Sequence, residues 1–316
     1  MLNDKRIAVV VPCYNESRLA GRVIETMPTF VDRIFVVDDL STDDTAAIVE
    51  RYVEQDPDRI VLIRHTTNQG VGGAIASGYE AARDEGIAVT VVMAGDAQMD
   101  PAELESIVRP VLAGECDYAK GNRLFSGEAW DMIPRVRYLG NAMLSLLTKI
   151  ASGYWHVADS QSGYTAISLR ALKTIDWDQM YKRYGQPNDL LVRLNIHDFR
   201  VRDIPIRPIY GIGEKSGIRP LRMIPRLSLL LSRLFWYRMV QKYVIRDFHP
   251  LVFFYVVGTV LFPTGMLFGL YLFLLRVLHG PVAATSALFA MFLFLSGLQF
   301  LLFAMWMDME NNRRLG

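Results

Sequence analysis

The sequence predicts an α/β protein, built on a mostly parallel sheet, that continues into a helical hairpin long enough to cross a membrane. Three observations carry this. Short β-branched apolar runs alternate with helix-spaced segments over roughly the first hundred residues. Polar clusters fall directly after several of those runs. Residues 251–275 and 282–307 contain no charged residue.

The elements follow in order. Ile7–Val11 is a strand ended by Pro12, and Glu16–Met27 has helical spacing through Leu19, Val23, Ile24 and Met27. Arg33–Val37 is the second strand, Thr45–Tyr52 a helix, Ile60–Arg64 the third strand, Gly72–Arg83 a helix and Ala88–Met93 the fourth strand. Pro101 opens another helix at its favoured first position, with Asp100 as cap and Glu103 and Glu105 in the positive first turn. Continuous apolar strands separated by helices form a sheet covered on both faces. Ligands of such sheets sit at the carboxyl ends of the strands. There lie Tyr14-Asn15-Glu16 after the first strand, Asp38-Asp39 after the second and Asp96 after the fourth.

The two uncharged runs exceed the roughly 20 apolar residues that a bilayer-spanning helix needs. Residues 276–281 form the tip between them, and buried core helices of such length would carry a polar face. Arg219, Arg222, Arg226, Arg233, Arg238, Lys242 and Arg246 precede the first run, Arg313 and Arg314 follow the second, and the tip holds only Arg276. Positive charge stays inside, so both termini are expected in the cytoplasm with a multi-pass anchor in the cytoplasmic membrane. No cleavable signal is expected, because Met1-Leu2-Asn3-Asp4-Lys5-Arg6 leads straight into a strand. Within 217–249, Leu221, Ile224, Leu227, Leu230, Leu231, Leu234, Phe235, Met239 and Val244 alternate with the basic residues, beside Trp236, Tyr237 and Tyr243. That composition predicts a pair of interfacial amphipathic helices. The expected organisation is a catalytic-type domain over 1–216, interfacial helices over 217–249, and the hairpin with a short tail over 250–316.

Composition narrows the field. A net charge of +1 over 316 residues argues against a nucleic-acid binder. Cys13 and Cys116 supply neither a disulfide framework nor a zinc site, and Cys13 reads as a small buried residue. Gly73 and Gly78 have P-loop spacing, but Tyr79-Glu80 replaces the lysine and hydroxyl residue that motif requires. Gly70 and Gly72 could open a dinucleotide fingerprint, but Ile75 stands in the third glycine's place. A small-residue helix packed closely on the sheet accounts for Gly72, Gly73, Ala74, Ala76 and Gly78.

Four motifs in order, Val11-Pro12-Cys13-Tyr14-Asn15-Glu16, Val37-Asp38-Asp39 with its trailing Ser41-Thr42-Asp43-Asp44-Thr45, Asn68-Gln69-Gly70 and Gly95-Asp96-Ala97-Gln98-Met99-Asp100-Pro101, resemble glycosyltransferase family 2. Gly121-Asn122-Arg123, Asp159-Ser160-Gln161-Ser162-Gly163-Tyr164 and the hairpin resemble its polyprenyl-phosphate branch, the dolichol-phosphate mannose and glucose synthase group. The resemblance covers roughly residues 6–216. It implies a GT-A fold, a nucleotide-sugar donor (a UDP- or GDP-sugar), a polyprenyl-phosphate acceptor such as undecaprenyl or dolichyl phosphate, and inverting hexosyl transfer at the membrane by a homo-oligomer. It also implies that Pro12, Tyr14, Asn15, Glu16, Asp39, Gly70 and Asp96 line the donor pocket. On the acceptor side it implies Arg123, Arg135, Arg137, Asn141, Ser162 and Lys215 around the phosphate, and Asp96, Asp159 and Asp189 as catalytic candidates.

The chemistry asks for such residues. A departing diphosphate is neutralised by Mg2+ or Mn2+ held on hard oxygen ligands, for which Asp96 and Gln98 are the candidates. Many relatives carry a first aspartate where this chain has Ala94, so the expected site has one carboxylate. A phosphate monoester has a second pKa near 6 and is largely dianionic at neutral pH, so it needs positioning more than a strong base. Arginine provides this in bidentate fashion. Asp159 reads equally as base, sugar ligand or acceptor for Arg123; Glu16 as pocket lining or first-turn acid; Asp43 and Asp44 as helix caps. Two other classes share parts of this pattern. A processive polysaccharide synthase would need more spans and a Gln-x-x-Arg-Trp motif that does not occur here, and a non-catalytic membrane-tethered scaffold finds slight support in Ala94.

Overall fold

The computed structural model describes residues 1–2, 4–125, 135–207 and 220–316. Two compact units divide it, residues 1–235 with 315–316, and residues 236–314.

In the first unit, seven strands form one sheet in the order β3-β2-β1-β4-β6-β5-β7. They are β1 Ile7–Cys13, β2 Arg33–Asp38, β3 Ile60–Arg64, β4 Val89–Val92, β5 Tyr118–Asn122, β6 Thr165–Ser168 and β7 Val201–Pro205. Only β6 runs against the others. The helices are α1 Ala20–Glu25, α2 Thr45–Gln55, α3 Val71–Asp84, α4 Leu104–Leu112, α5 Arg135–Ser152, α6 Leu169–Thr174, α7 Gln186–Ile196 and α8 Pro220–Val240. The sequence-derived elements are all present, with α1 much shorter than its apolar spacing suggested and Pro101–Glu103 a 3-10 turn ahead of α4. Asp100 caps that turn, accepting from the Ala102 amide at 2.9 Å.

Every residue of β1 is buried, as a central strand demands. Its side chains alternate between two cores: Ile7, Val9, Val11 and Cys13 face α1 and α4, whereas Ala8 and Val10 face α3. Gly78 makes the α3 contact possible, since a Cβ there would collide with the Val10 side chain. Gly72 instead faces the 181–186 segment, so the small-residue stripe serves two neighbours rather than the sheet alone.

The expected pair of interfacial helices is one continuous helical run. α8 passes directly into a π-helical turn, Gln241–Arg246. Inside the first unit, Leu230 and Leu234 of α8 pack against Val192 and Ile196 of α7, while Arg226, Leu229 and Arg233 stay exposed.

The second unit contains α9, Leu251–His279, and α10, Ala284–Asn312, packed as a hairpin. Both are long and apolar enough to cross a membrane. They outrun the uncharged segments, because Arg276 and His279 complete the last turn of α9 and the tip contracts to residues 280–283. Glycine brings the backbones together: a Cβ on Gly265 would strike Phe294, and one on Gly297 would strike Phe262. Phe253, Leu267, Phe273, Leu288, Phe292, Leu302 and Trp306 point outward, a surface suited to lipid rather than water. At one end, Arg238 and Asp308 form a bidentate pair at 2.8 and 2.9 Å, both fully buried, with the Tyr243 hydroxyl donating to Asp308 at 2.7 Å.

Candidate active site

The carboxyl ends of β1, β2, β4 and β5 share one edge. Because β6 runs in reverse, the segment leading into it, residues 159–164, reaches the same edge from the other direction. The reversal therefore joins Asp159 and Ser162 to Arg123, which follows β5. Of the five non-glycine residues with positive φ among those described, three lie here: Asn15 at 57°, Leu40 at 63° and Ala97 at 56°. Each such conformation costs on the order of 1–2 kcal/mol, and strain of this kind concentrates at functional sites.

The first two loops are laced together. The Asn15 amide donates to Ser41 Oγ at 2.9 Å, Asn15 Oδ1 accepts from the Thr42 amide at 2.8 Å, and the Glu16 amide donates to Thr45 Oγ1 at 2.8 Å. Asn15 thus spends its side chain on loop shape. Pro12 is buried beneath, and the Tyr14 ring stands 50% exposed at the rim. Asp43 accepts from the Ser17 and Thr45 amides at 3.1 and 3.0 Å, consistent with a structural role.

The adjacent carboxylates of Asp38 and Asp39 part ways. Asp39 is 2% exposed and fully engaged: it accepts from the Gln69 amide at 2.8 Å and the Gly70 amide at 2.7 Å, and pairs with His65 Nδ1 at 2.7 Å. His65 Nε2 lies 2.9 Å from Ser77 Oγ, which completes a strut from β2 to α3. Asp38, beside Cys13 in register, faces the other core, and its Oδ1 is buried with no hydrogen-bond partner among the described residues. Strand alternation contains the signal that separates the two: Asp38 follows Ile34 and Val36 on one face, Asp39 follows Phe35 and Val37 on the other.

Asp96 and Gln98 are half-buried in the loop after β4, where the Gln98 amide donates to Asp96 Oδ1 at 3.1 Å across the left-handed Ala97. Burial first, then the Asp96 and Asp43 carboxylates, push Glu16 above the usual carboxylate range. Burial, followed by the charges of Glu16, Asp38, Asp96 and Asp43, pushes the Cys13 thiol far up, so it is inert. No group of three or more His, Cys, Asp or Glu side chains preformed for a metal occurs among the described residues. Crowded carboxylates with few fixed ligands fit a cation that arrives with a diphosphate to complete its shell.

On the other side, Asp159 is 1% exposed and accepts from Arg123 three times: from the amide at 3.2 Å, Nε at 2.7 Å and Nη2 at 3.1 Å. Burial works to raise Asp159, but the Arg123 hydrogen bonds and charge, helped by Lys120, hold it below the ordinary carboxylate range. Ser162 is buried in the same loop. Arg135, Arg137 and Asn141 lie on α5 by their backbone, but their side chains fall outside the described residues, as does Lys215 entirely.

Asp189 sits in the first turn of α7, where it accepts from the Tyr181 amide at 2.7 Å and Arg193 Nε at 3.0 Å. Burial pushes it up, with Arg193 opposing. The neighbouring Lys182 carbonyl accepts from the Gly72 and Gly73 amides, so Asp189 braces the start of α3 behind Gly70. The sequence pattern places Asp38 at this edge without a role of its own, and assigns nothing to His65 or the buried Lys120. A lysine directly before the Gly121-Asn122-Arg123 motif was the available signal for Lys120.

Residues 8–176 match Glycosyl transferase family 2. The chain is 29% identical over 219 residues to a UDP-N-acetylglucosamine–dolichyl-phosphate N-acetylglucosaminyltransferase of Methanococcus voltae, covering 66% of this chain and 87% of that one. It is 30% identical over 221 residues to a polyprenol monophosphomannose synthase of Mycolicibacterium smegmatis, covering 67% and 82%. The fold is similar to glucosyl-3-phosphoglycerate synthase of Mycobacterium tuberculosis, solved with Mn2+, UDP and glucosyl-3-phosphoglycerate, at a TM-score of 0.52 and 22% identity over 74% of this chain and 80% of that one.

Proposed function

The chain belongs to glycosyl transferase family 2, with a GT-A-like fold, and on that premise we propose that it transfers a hexose from a UDP- or GDP-sugar to a polyprenyl phosphate, inverting the anomeric carbon. The observation that carries this reading is the shared edge, where the Asp96–Gln98 loop and the Arg123–Asp159 pair lie on neighbouring segments. The polyprenyl-phosphate acceptors named for the two relatives support the choice of acceptor.

On the donor side, Tyr14 offers a ring face to the base, and Asp38, whose Oδ1 has no partner among the described residues, is the carboxylate we assign to a base or ribose donor once the pocket is occupied. We assign Asp39 and Gly70 to the pocket wall, because the Asp39 carboxylate is spent on holding the Gln69–Gly70 turn. Asp96 and Gln98 would hold Mg2+ or Mn2+, whose charge would neutralise the departing diphosphate. Arg123, with its guanidinium oriented by Asp159, binds and aims the acceptor phosphate, and Arg135, Arg137, Asn141, Ser162 and Lys215 complete that side. A phosphate oxygen attacks the anomeric carbon while the bond to the diphosphate breaks on the opposite face. The nucleophile is already ionised at neutral pH, so Asp159 keeps its ion pair with Arg123 and takes up no proton. Asp189 acts through the α3 support rather than on the substrate.

The basic flanks of the hairpin support a cytoplasmic active domain with both termini on that side, anchored in the membrane; the homo-oligomer rests on the family resemblance alone. Purified full-length protein incubated with radiolabelled UDP- and GDP-sugars and undecaprenyl or dolichyl phosphate tests the proposal. A labelled, mild-acid-labile lipid product from one donor is expected. Polymer formation, or no lipid product with any donor, would refute it.

A further inference from the structure

Lys120 is wholly buried in β5, an unusual place for an ammonium group because its desolvation must be offset by partners. Its Nζ donates to the Ser162 carbonyl, and the next amide along β5, that of Gly121, donates to the Tyr164 carbonyl at 2.8 Å. Two carbonyls of the 159–164 segment are therefore tied to one strand. The same segment touches the loop after β4: Gly163 packs beside the Met99 methyl, which a Cβ there would approach to 3.3 Å, and the Tyr164 hydroxyl donates to the Asp100 carbonyl at 2.9 Å. Met99 in turn accepts from the Ala94 amide at 3.3 Å. A continuous set of contacts thus runs from Lys120 to both ends of the Ala94–Asp100 loop.

The charges facing Lys120 are Asp159 from the segment before β6, Asp203 from β7 and Arg123 at the end of its own strand. Asp203 lies beside Lys120 in register and accepts from the Ala158 amide at 2.7 Å and Asn122 Nδ2 at 3.1 Å, while its Oδ1 is buried with no hydrogen-bond partner among the described residues and its field includes His156. No apolar side chain of similar size could bind the Ser162 carbonyl, although one could fill the space.

We propose that Lys120 is a positioning residue for transfer: by clamping the Ser162 carbonyl, its ammonium sets the spacing between the Arg123–Asp159 pair and the Asp96–Gln98 loop. The inference rests on the reading of this edge as a transferase site. Burial, opposed by the two aspartates, brings the Lys120 pKa down to about 8, so the clamp is intact at neutral pH and opens within reach of a pH–rate profile.

The test uses full-length protein in detergent, with the nucleotide sugar that the wild type turns over and undecaprenyl phosphate as acceptor. Lys120→Met should lower kcat at least tenfold while the Kd for the free nucleoside diphosphate stays within twofold of wild type. The wild type should lose kcat above about pH 8, and Lys120→Met should lack that limb. Asp203→Asn keeps an oxygen for the Ala158 amide but removes a charge that favours the ammonium, so its alkaline limb should move to lower pH. A Lys120→Met kcat within twofold of wild type, or an alkaline limb that persists in it, overturns the proposal. If Lys120→Met does not fold, an unshifted limb in Asp203→Asn overturns it instead. Absence of any transfer by the wild type removes the transferase reading and this inference together, whereas normal wild-type transfer with an unaffected Lys120→Met removes this inference alone.

Discussion

Replacing Asp39 and Asp38 separately by asparagine should yield opposite phenotypes at neighbouring positions. In Asp39→Asn, the side chain retains one oxygen for two amide donors, those of Gln69 and Gly70, and its new NH2 group must face one of them. Hydrogen bonds to a charged acceptor contribute roughly 1.5–3 kcal/mol, and leaving a buried donor unpaired costs about 1–3 kcal/mol. Asp39 is 2% exposed, so solvent gives little relief, and a loss of about 3 kcal/mol is expected. For a unit of this size that is a fall in Tm of roughly 6–12 °C. Among the described residues, Asp38→Asn removes a charge that engages only a weak 3.4 Å bond from the Ser41 amide, so its Tm should change little. Its Kd for the nucleotide should rise about tenfold, ~1.4 kcal/mol, the order of the difference between a charged and a neutral acceptor. Differential scanning fluorimetry and titration calorimetry on the full-length protein measure both. A stable Asp39→Asn with weakened nucleotide binding, beside an unaffected Asp38→Asn, would refute the division of labour.

Four further outcomes are expected. Asp96→Asn should reduce turnover by about a hundredfold or more through loss of charge stabilisation at the leaving group, and full activity of that variant in chelator would remove the metal site. Arg123→Ala should raise the KM for polyprenyl phosphate while leaving nucleotide affinity near wild type. Asp159 has a depressed folded pKa, so its contribution to stability is present above the unfolded carboxylate pKa and lost as pH falls through the folded one; acid titrations of Tm should show this loss in the wild type and less of it in Arg123→Ala. In the second unit, Asp308→Ala strands the buried Arg238 guanidinium and should cost about 3–5 kcal/mol, whereas joint replacement of Arg238 and Asp308 by Met and Leu should recover most of it; equal losses in a thermal melt would contradict a pair held by burial.

Much of the molecule was legible because its signals are local. The strand β3 runs over Ile60–Arg64 as its apolar pattern indicates, and Asp100 caps the turn that Pro101 opens. The hairpin was legible in the uncharged runs, although the helices extend further, because a helix continues through Arg276 and His279 until Gly280, at φ 98°, ends it. The length of α1 was misjudged for the converse reason: Leu19 and Met27 are apolar, but residues 15–17 are held by bonds to the loop after β2 and begin no helix.

By itself, the sequence determined the class of sheet, the motif order that identifies the family, the membrane-length helices and the candidate carboxylates and arginines, since each depends on residues close together in the chain. Tertiary structure alone decided what those groups face. Reversal of β6 carries Asp159 to Arg123 across 36 positions, and strand alternation sends Asp39 into a strut while leaving an Asp38 oxygen unpartnered in the acidic cluster. Lys120 shows the same division: its burial in β5 and its carbonyl partner 42 residues away arise only when the sheet closes around it. Periodicity encodes which side of an element is apolar, but the partner of a buried charge is set by topology, because desolvation makes each such group depend on whatever the fold brings within hydrogen-bonding distance.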